Sequence, residues 1–407
     1  MDNEVLSIGK PIVFDESIAD YEIHAHLPYA ASTFNNSDEI RIAVQNQDHC
    51  LLPGKSSLHI QGKLVKENST AVTSTRFIIN AICHLFEEAR YELNAVEIDK
   101  SKNVGLTSLM KNYVSIYSNQ SKFLKNAGWF PTCNANKSLI DENGNFDVAI
   151  PLSTIFGFAE DYQKIIVNAR HELILTRARS DVNAIIQTAP EDVKISIDKI
   201  EWLLPNVRLS DARKFKLLKY IEKDPLIPIS FRTWELYEYP LIPTTANHVW
   251  TVKTSTQLEK PRFVILGFQT NRKNVLTRNS SHFDHCKITN VKLFLNNQCY
   301  PYGNLNVDID KKHYAVLYEM YINFQASYYY DRESQPYLTK AEFLNYAPLI
   351  VIDCSKQNES LKYGPVDIRL EFEAKENFPA QTAAYCLILH DRVVEYKPIS
   401  GGVKKII

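Results

Sequence analysis

Residue types that do chemistry elsewhere occur at a few places in this 407-residue chain. Gly54-Lys55-Ser56-Ser57 has the ending of a phosphate-cradling loop, where backbone N–H groups and a lysine surround a nucleotide's phosphates. That loop needs another glycine five residues earlier, where His49 stands, and it must open a helix. Here the following residues alternate like a strand, so no nucleotide site is expected. His24-x-His26 sets two imidazoles on one strand face, and His282-Phe283-Asp284-His285-Cys286 offers four donors in five residues. Zinc needs four converging ligands, usually from two separated pairs, and nothing in the spacing brings these clusters together. Packed or loop histidines are therefore expected.

Asp141-Glu142-Asn143-Gly144-Asn145 has calcium-loop chemistry, but its glycine is fourth, where an EF-hand loop wants it sixth. A hairpin turn leading into a strand at 146–152 accounts for it better. The cysteines (Cys50, Cys83, Cys133, Cys286, Cys299, Cys354, Cys386) are odd in number, scattered and without C-x-x-C spacing. They read as reduced, small hydrophobes. No Gly-x-Ser-x-Gly elbow is present. Trp129, Trp202, Trp234 and Trp250 are able to stack on sugars, but Trp202 and Trp234 fall in strand-like stretches where core packing is expected. The expectation is a chain with no catalytic residue, no cofactor and no metal.

The elements around these residues are mostly strands. Hydrophobic residues make up 45% and charged residues 23%, which places the chain among folded proteins. Tyr (22) and Phe (19) far outnumber Met (3), a bias toward pleated surfaces. The formal charge of −1 supplies no cationic stripe for gripping phosphates, so strong sequence-specific nucleic-acid binding is not expected. The opening Met1-Asp2-Asn3-Glu4 lacks a signal peptide's positive region, and apolar runs fall far short of the roughly 20 residues of a membrane span. An intracellular protein without a membrane span is expected.

Residues 366–374 alternate over their whole length, with Ile368, Leu370 and Phe372 on one face and Asp367, Arg369, Glu371 and Glu373 on the other. Two stretches, 195–203 and 91–98, switch apolar parity midway, which predicts a bulge or a change of packing partner within each strand. Leu106, Leu109, Met110, Tyr113, Ile116 and Tyr117 carry helical spacing, and Tyr314, Leu317, Tyr318, Tyr321 and Phe324 repeat it about 200 residues later. In the first half the order is strand 91–98, helix, then strands 146–152, 170–176 and 193–203. In the second half it is strand 288–295, helix, then strands 349–353, 366–374 and 383–396. That repetition without shared residues predicts two copies of one architecture. Residues 209–224, with Ser210 as N-cap and Pro225 as stop, read as a connecting helix. The fold expected is all-β with a few short helices: two tandem jelly rolls, each an antiparallel β-sandwich, at 1–208 and 225–407.

Phe231-Arg232-Thr233-Trp234-Glu235-Leu236-Tyr237-Glu238-Tyr239-Pro240, His248-Val249-Trp250-Thr251-Val252-Lys253-Thr254-Ser255 and the run from Gln257 to Thr270 form a familiar series. With Ile60-Gln61-Gly62-Lys63-Leu64, they resemble the major capsid proteins of Polinton or adintovirus-type DNA viruses and endogenous elements of invertebrates. The resemblance spans most of the chain, is strongest over 200–300 and carries no catalytic motif. It implies a double jelly-roll capsid subunit of the virion, forming pseudo-hexameric homotrimers that tile an icosahedral shell around DNA, with penton and minor capsid proteins as further partners. Candidate subunit contacts are Trp129 and Phe130 in the loop 119–136, and Tyr328, Tyr329, Tyr330 and Arg332 in the Tyr-rich stretch. The same side chains packed within their own subunit are the competing reading. Two other classes fit the pattern: a lectin- or spike-like binding sandwich, and a cupin-type metalloenzyme using His24, His26, His282 or His285.

Overall fold

The computed structural model describes residues 17–29, 33–45, 50–68, 70–129, 139–254, 261–296, 298–330, 334–356 and 366–406. The first half contributes β1 (Ile18–His26), β2 (Glu39–Gln45), β3 (Cys50–Leu51), β4 (Ser57–Lys66), β5 (Thr75–Phe77), β6 (Phe86–Leu93) and β7 (Val96–Lys102). Helices α1 (Val104–Ser115) and α2 (Ser121–Leu124) follow, then β8 (Asn145–Pro151), α3 (Gly157–Asp161), β9 (Arg170–Arg177), β10 (Ile185–Gln187) and β11 (Val193–Leu209). Helix α4 (Asp211–Ile221) joins the halves. The second half holds β12 (Ile227–Tyr239), β13 (Asn247–Thr254), β14 (Pro261–Thr270), β15 (Ile288–Leu295) and β16 (Gln298–Tyr300). It ends with α5 (Ala315–Tyr329), α6 (Lys340–Tyr346), β17 (Ile350–Asp353), β18 (Asp367–Ala374), β19 (Thr382–Tyr396) and β20 (Val403–Lys405).

Each half is a pair of antiparallel sheets. In the first, the orders are β1-β11-β4-β8 and β2-β9-β6-β7; in the second, β12-β19-β14-β17 and β13-β18-β15-β16. Replacing β1, β2, β4, β6, β7, β8, β9 and β11 by β12 to β19 in sequence converts the first pair of orders into the second. Each sandwich thus places its first strand beside its last, the jelly-roll arrangement. Additions to the common plan are small: β3 and β20 extend the sheets at β11 and β19, and β5 pairs with β10.

Periodicity explains most strands. In β18, Ile368, Leu370 and Phe372 are buried while Asp367, Arg369 and Glu373 are exposed. In β4, Leu58, Ile60 and Leu64 point into the core. The parity switch within 195–203 is a bulge, since the β11–β4 register shifts between Ile197 and Lys199. The switch within 91–98 corrects the one-strand expectation. That segment is two strands, β6 and β7, joined at Asn94 and Ala95, both with positive φ. Two such residues make the tight turn that follows strand twist, and a turn exchanges inner and outer positions as a bulge does.

Helix α1 also departs from expectation: all twelve residues are buried, polar Thr107, Ser108, Lys111 and Asn112 included, so the stripe has no solvent face opposite it. Helix α4 is the reverse. Only Ile221 is buried, and Phe215, Leu218 and Tyr220 are exposed.

Candidate functional site at the junction of the two sandwiches

The sequence-derived sites disperse in three dimensions. Gly54 sits in a tight turn before β4, where a Cβ would lie 2.6 Å from the Tyr162 carbonyl oxygen, so the glycine serves close packing. The Asp141 carboxylate accepts from the Asn143 and Asn145 backbone N–H groups, each at 2.8 Å, and from the Asn145 side chain at 2.7 Å. These bonds, the Asn145 amide first, lower its pKa, and they make Asp141 the organiser of its own turn. His24 accepts from Asn206 Nδ2 at 2.6 Å in the first half, whereas His285 accepts from the Lys287 N–H in the second. Asp284 is held by Arg272 through two bonds of 2.8 and 2.6 Å. Among the described residues, no three His, Cys, Asp or Glu side chains converge as a metal site.

The candidate contact residues separate as well. Trp129 is buried against the rings of Tyr113 and Tyr337, at 5.6 and 6.0 Å between centroids. Tyr328 is likewise buried, under Arg232. Both therefore belong to the subunit's own interior, which corrects their reading as outward contacts. Tyr329 is half-buried and Tyr330 is 90% exposed. Phe130 and Arg332 lie outside the described residues.

What Tyr328 and Tyr329 do touch is a charged cluster that sequence reasoning missed. Helix α1 presents Lys111, fully buried, whose Nζ donates to Glu160 Oε1 on α3 at 2.9 Å and to Ser115 Oγ at 2.6 Å. The ammonium lies 4.4 Å from the Tyr328 ring centroid and 4.7 Å from that of Trp234 on β12. Glu160 also accepts from the Tyr328 hydroxyl at 2.7 Å and the Tyr329 hydroxyl at 2.5 Å. Its neighbour Asp161 takes Arg232 of β12 through bonds of 2.9 and 2.6 Å, and the Arg232 guanidinium stacks 3.4 Å from the Tyr328 ring centroid. Burial lowers the Lys111 pKa, opposed by Glu160, and burial pushes both tyrosines well above their ordinary range.

A second buried acid lies beside this cluster. Asp99 of β7 accepts from Thr233 Oγ1 at 2.6 Å and the Phe158 N–H at 2.9 Å. Burial raises its pKa against these hydrogen bonds. Gly157 opens α3 so close to β12 that a Cβ would lie 1.7 Å from the Arg232 carbonyl oxygen. Residues from α1, α3 and β7 of one sandwich and β12 and α5 of the other thus form a single polar junction. It binds the halves in one orientation. No local signal marks it: its contacts between elements join residues 49 to 218 apart, and only the pair Glu160-Asp161 after a glycine stands out afterwards.

Two buried histidines near this core predict acid sensitivity. His84, packed against Gly105 at the start of α1, has its pKa lowered to about 4 by burial. His171, which shares a hydrogen bond of 2.5 Å with the Tyr91 hydroxyl, is lowered by burial to about 3. Both folded values lie below the ordinary 6.5, so the unfolded chain takes up protons first as pH falls. Their stabilisation is complete above pH 6.5 and is lost below it, at about 1.4 kcal/mol per unit and group. Thermal melts should drop clearly between pH 6.5 and 5, before most carboxylates titrate; a flat Tm over that interval would contradict the neutral, buried state of both rings.

Comparison with known proteins now bears on this arrangement. A family model described as a double jelly roll-like domain matches residues 76–394. The chain belongs to this family. Three solved structures share the double jelly roll over nearly the whole chain. The Sputnik virophage structure from cryo-EM covers 99% of this chain and 91% of its own, with TM-score 0.61 and 10% identity. The mavirus major capsid protein covers 98% and 92%, with TM-score 0.59 and 10% identity. The Faustovirus major capsid protein covers 97% and 93%, with TM-score 0.57 and 10% identity. At such identities the likeness is one of fold. No curated protein matches the sequence. The double jelly roll expected from the repeated order of strands is the observed fold.

Proposed function

We propose that this chain is a structural, non-catalytic major capsid protein. In this reading its copies form pseudo-hexameric homotrimers, which tile an icosahedral shell around a DNA genome of Polinton or adintovirus type. The observation that carries the reading is the duplicated jelly roll locked by the buried junction of Lys111, Glu160, Asp161 and Arg232. A rigid pair of like units lets three chains present six sandwiches around a ring, and a rigid tile is what a shell requires. The likeness of fold to the mavirus and Faustovirus major capsid proteins supports the same role. We assign 1–208 and 225–407 as the two rolls and 209–224 as their connector. Penton and minor capsid proteins complete the shell at its vertices, and assembly is intracellular.

Light scattering of the purified protein at two concentrations tests this. The expected result is a species near three times 46.8 kDa, with shells or sheets of capsomers in negative stain on concentration. A strict monomer at every concentration would refute the role.

A further inference from the structure

The connecting helix α4 leaves more apolar space beneath it than its own side chains fill. Leu217 and Ile221, one turn apart, are the residues it turns toward the first sandwich, where Cys50, Val167 and Val207 meet them. This small cluster stands apart from the main core. Beside it lies a cavity of about 500 Å³, walled by Cys50, Val167, Val207, Leu209, Leu217 and Ile221. Protein interiors are close-packed and leave few voids larger than a water molecule, so an apolar space of this size is not ordinary packing. Leu218 and Ile399, 53% and 56% exposed, stand where the cavity meets solvent.

Charge is confined to the rim. Lys214 stands one turn before Leu217 on α4, Arg208 follows Val207 on β11, and both are exposed lining residues. Among the described residues Lys214 pairs with no carboxylate, and Arg208 reaches only Asp20, at 3.9 Å. The Lys214 ammonium acts on the cavity wall: burial raises the pKa of the Cys50 thiol, and Lys214 opposes the rise. Glu222, the acid of the lining, lies eight residues further along α4, about 12 Å down the helix axis. One end of the cavity is therefore cationic and the middle apolar. Sites for small ligands have this size and this makeup, with a few polar groups that fix orientation.

We propose that this cavity binds a long-chain carboxylate, its alkyl chain between α4 and β11 and its head group at Lys214 and Arg208. The apolar walls select the chain, and the unpaired ammonium selects an anion over a neutral amphiphile. A bound chain supplies the packing that α4 lacks and ties the connector to the first sandwich. The site lies within one chain and does not depend on the assembly reading.

Isothermal titration calorimetry of the full-length, delipidated protein tests this with octanoate, decanoate and dodecanoate, each below its micellar concentration. The expected result is one site per chain, tightening about fourfold for each added methylene. Lys214→Gln should weaken dodecanoate about tenfold and leave the neutral dodecanol unchanged. Lys219→Gln, on the far side of α4, should alter neither. Leu217→Trp fills the cavity and should abolish binding, with melting curves showing that it stays folded. Should that variant not fold, the two exposed lysine variants still decide the matter. Absence of saturable binding, an affinity indifferent to chain length, or equal losses for dodecanoate and dodecanol in Lys214→Gln would each overturn the proposal.

Discussion

Glu160→Gln should cost the protein about 3–5 kcal/mol of folding stability, the loss expected when one partner of a buried ion pair is removed. The substitution keeps shape and one of the two acceptor oxygens that take the Tyr328 and Tyr329 hydroxyls, so the charge and one of those hydrogen bonds are lost. Lys111 is wholly enclosed, and its remaining neighbours are a serine hydroxyl, a tyrosine hydroxyl and aromatic rings. Rings attract a cation, but by about 0.5–2 kcal/mol, too little to replace a carboxylate. Removing the cation as well should reverse most of the loss: Lys111→Met with Glu160→Gln should lie closer to the parent than Glu160→Gln alone. Urea unfolding of the parent, both single variants and the double variant measures the coupling. Additive losses would mean that Lys111 and Glu160 do not act as a pair.

Gly157→Val should be at least as damaging, through sterics. The Cα of Gly157 faces the Arg232 carbonyl group, and a methyl group there would overlap that backbone and press on the Trp234 indole. Overpacking against movable side chains costs roughly 1–3 kcal/mol. Here no side-chain end is free to swing aside, so α3 must leave β12 and the Asp161–Arg232 and Glu160–Lys111 contacts must stretch with it. The expected result is a lowered Tm together with loss of the associated species in mass photometry. Gly157→Ala should act in the same direction. A variant with parental Tm would show that the two sandwiches slide freely, and the rigid tile would have to be abandoned.

The fold was more legible than the site, and the reason is physical. A strand half in water writes its burial into every second residue, so β18 is readable from residues 366–374 alone. Reading β11 through Asp198 also succeeded, because a bulge leaves an alternating pattern on either side. The segment 91–98 misled because Asn94-Ala95 lacks the glycine that usually marks so tight a turn. The junction left no such trace. Lys111 looks like an ordinary polar residue off the apolar stripe of α1; only the second half's arrival buries it. Trp129 and Tyr328 read equally as subunit contacts or as core, because aromatic-rich segments have the same composition whether they fill a core or an interface. Their burial depends on Tyr337, Arg232 and α5, all distant in sequence.

The pairing of first strand with last also governs how the chain is made. Strand β1 finds its partner only in β11, about 170 residues later, a wait on the order of ten to thirty seconds at ribosomal speed. Strand β12 waits similarly for β19. Helix α1 waits longer than β1 does. Its carbonyl groups at Tyr113, Ser115 and Ile116 accept from Tyr321 and Gln325 of α5, so it stays partly uncovered until the second half has emerged. The nascent protein thus carries a partly uncovered helix and an open strand edge through most of its synthesis.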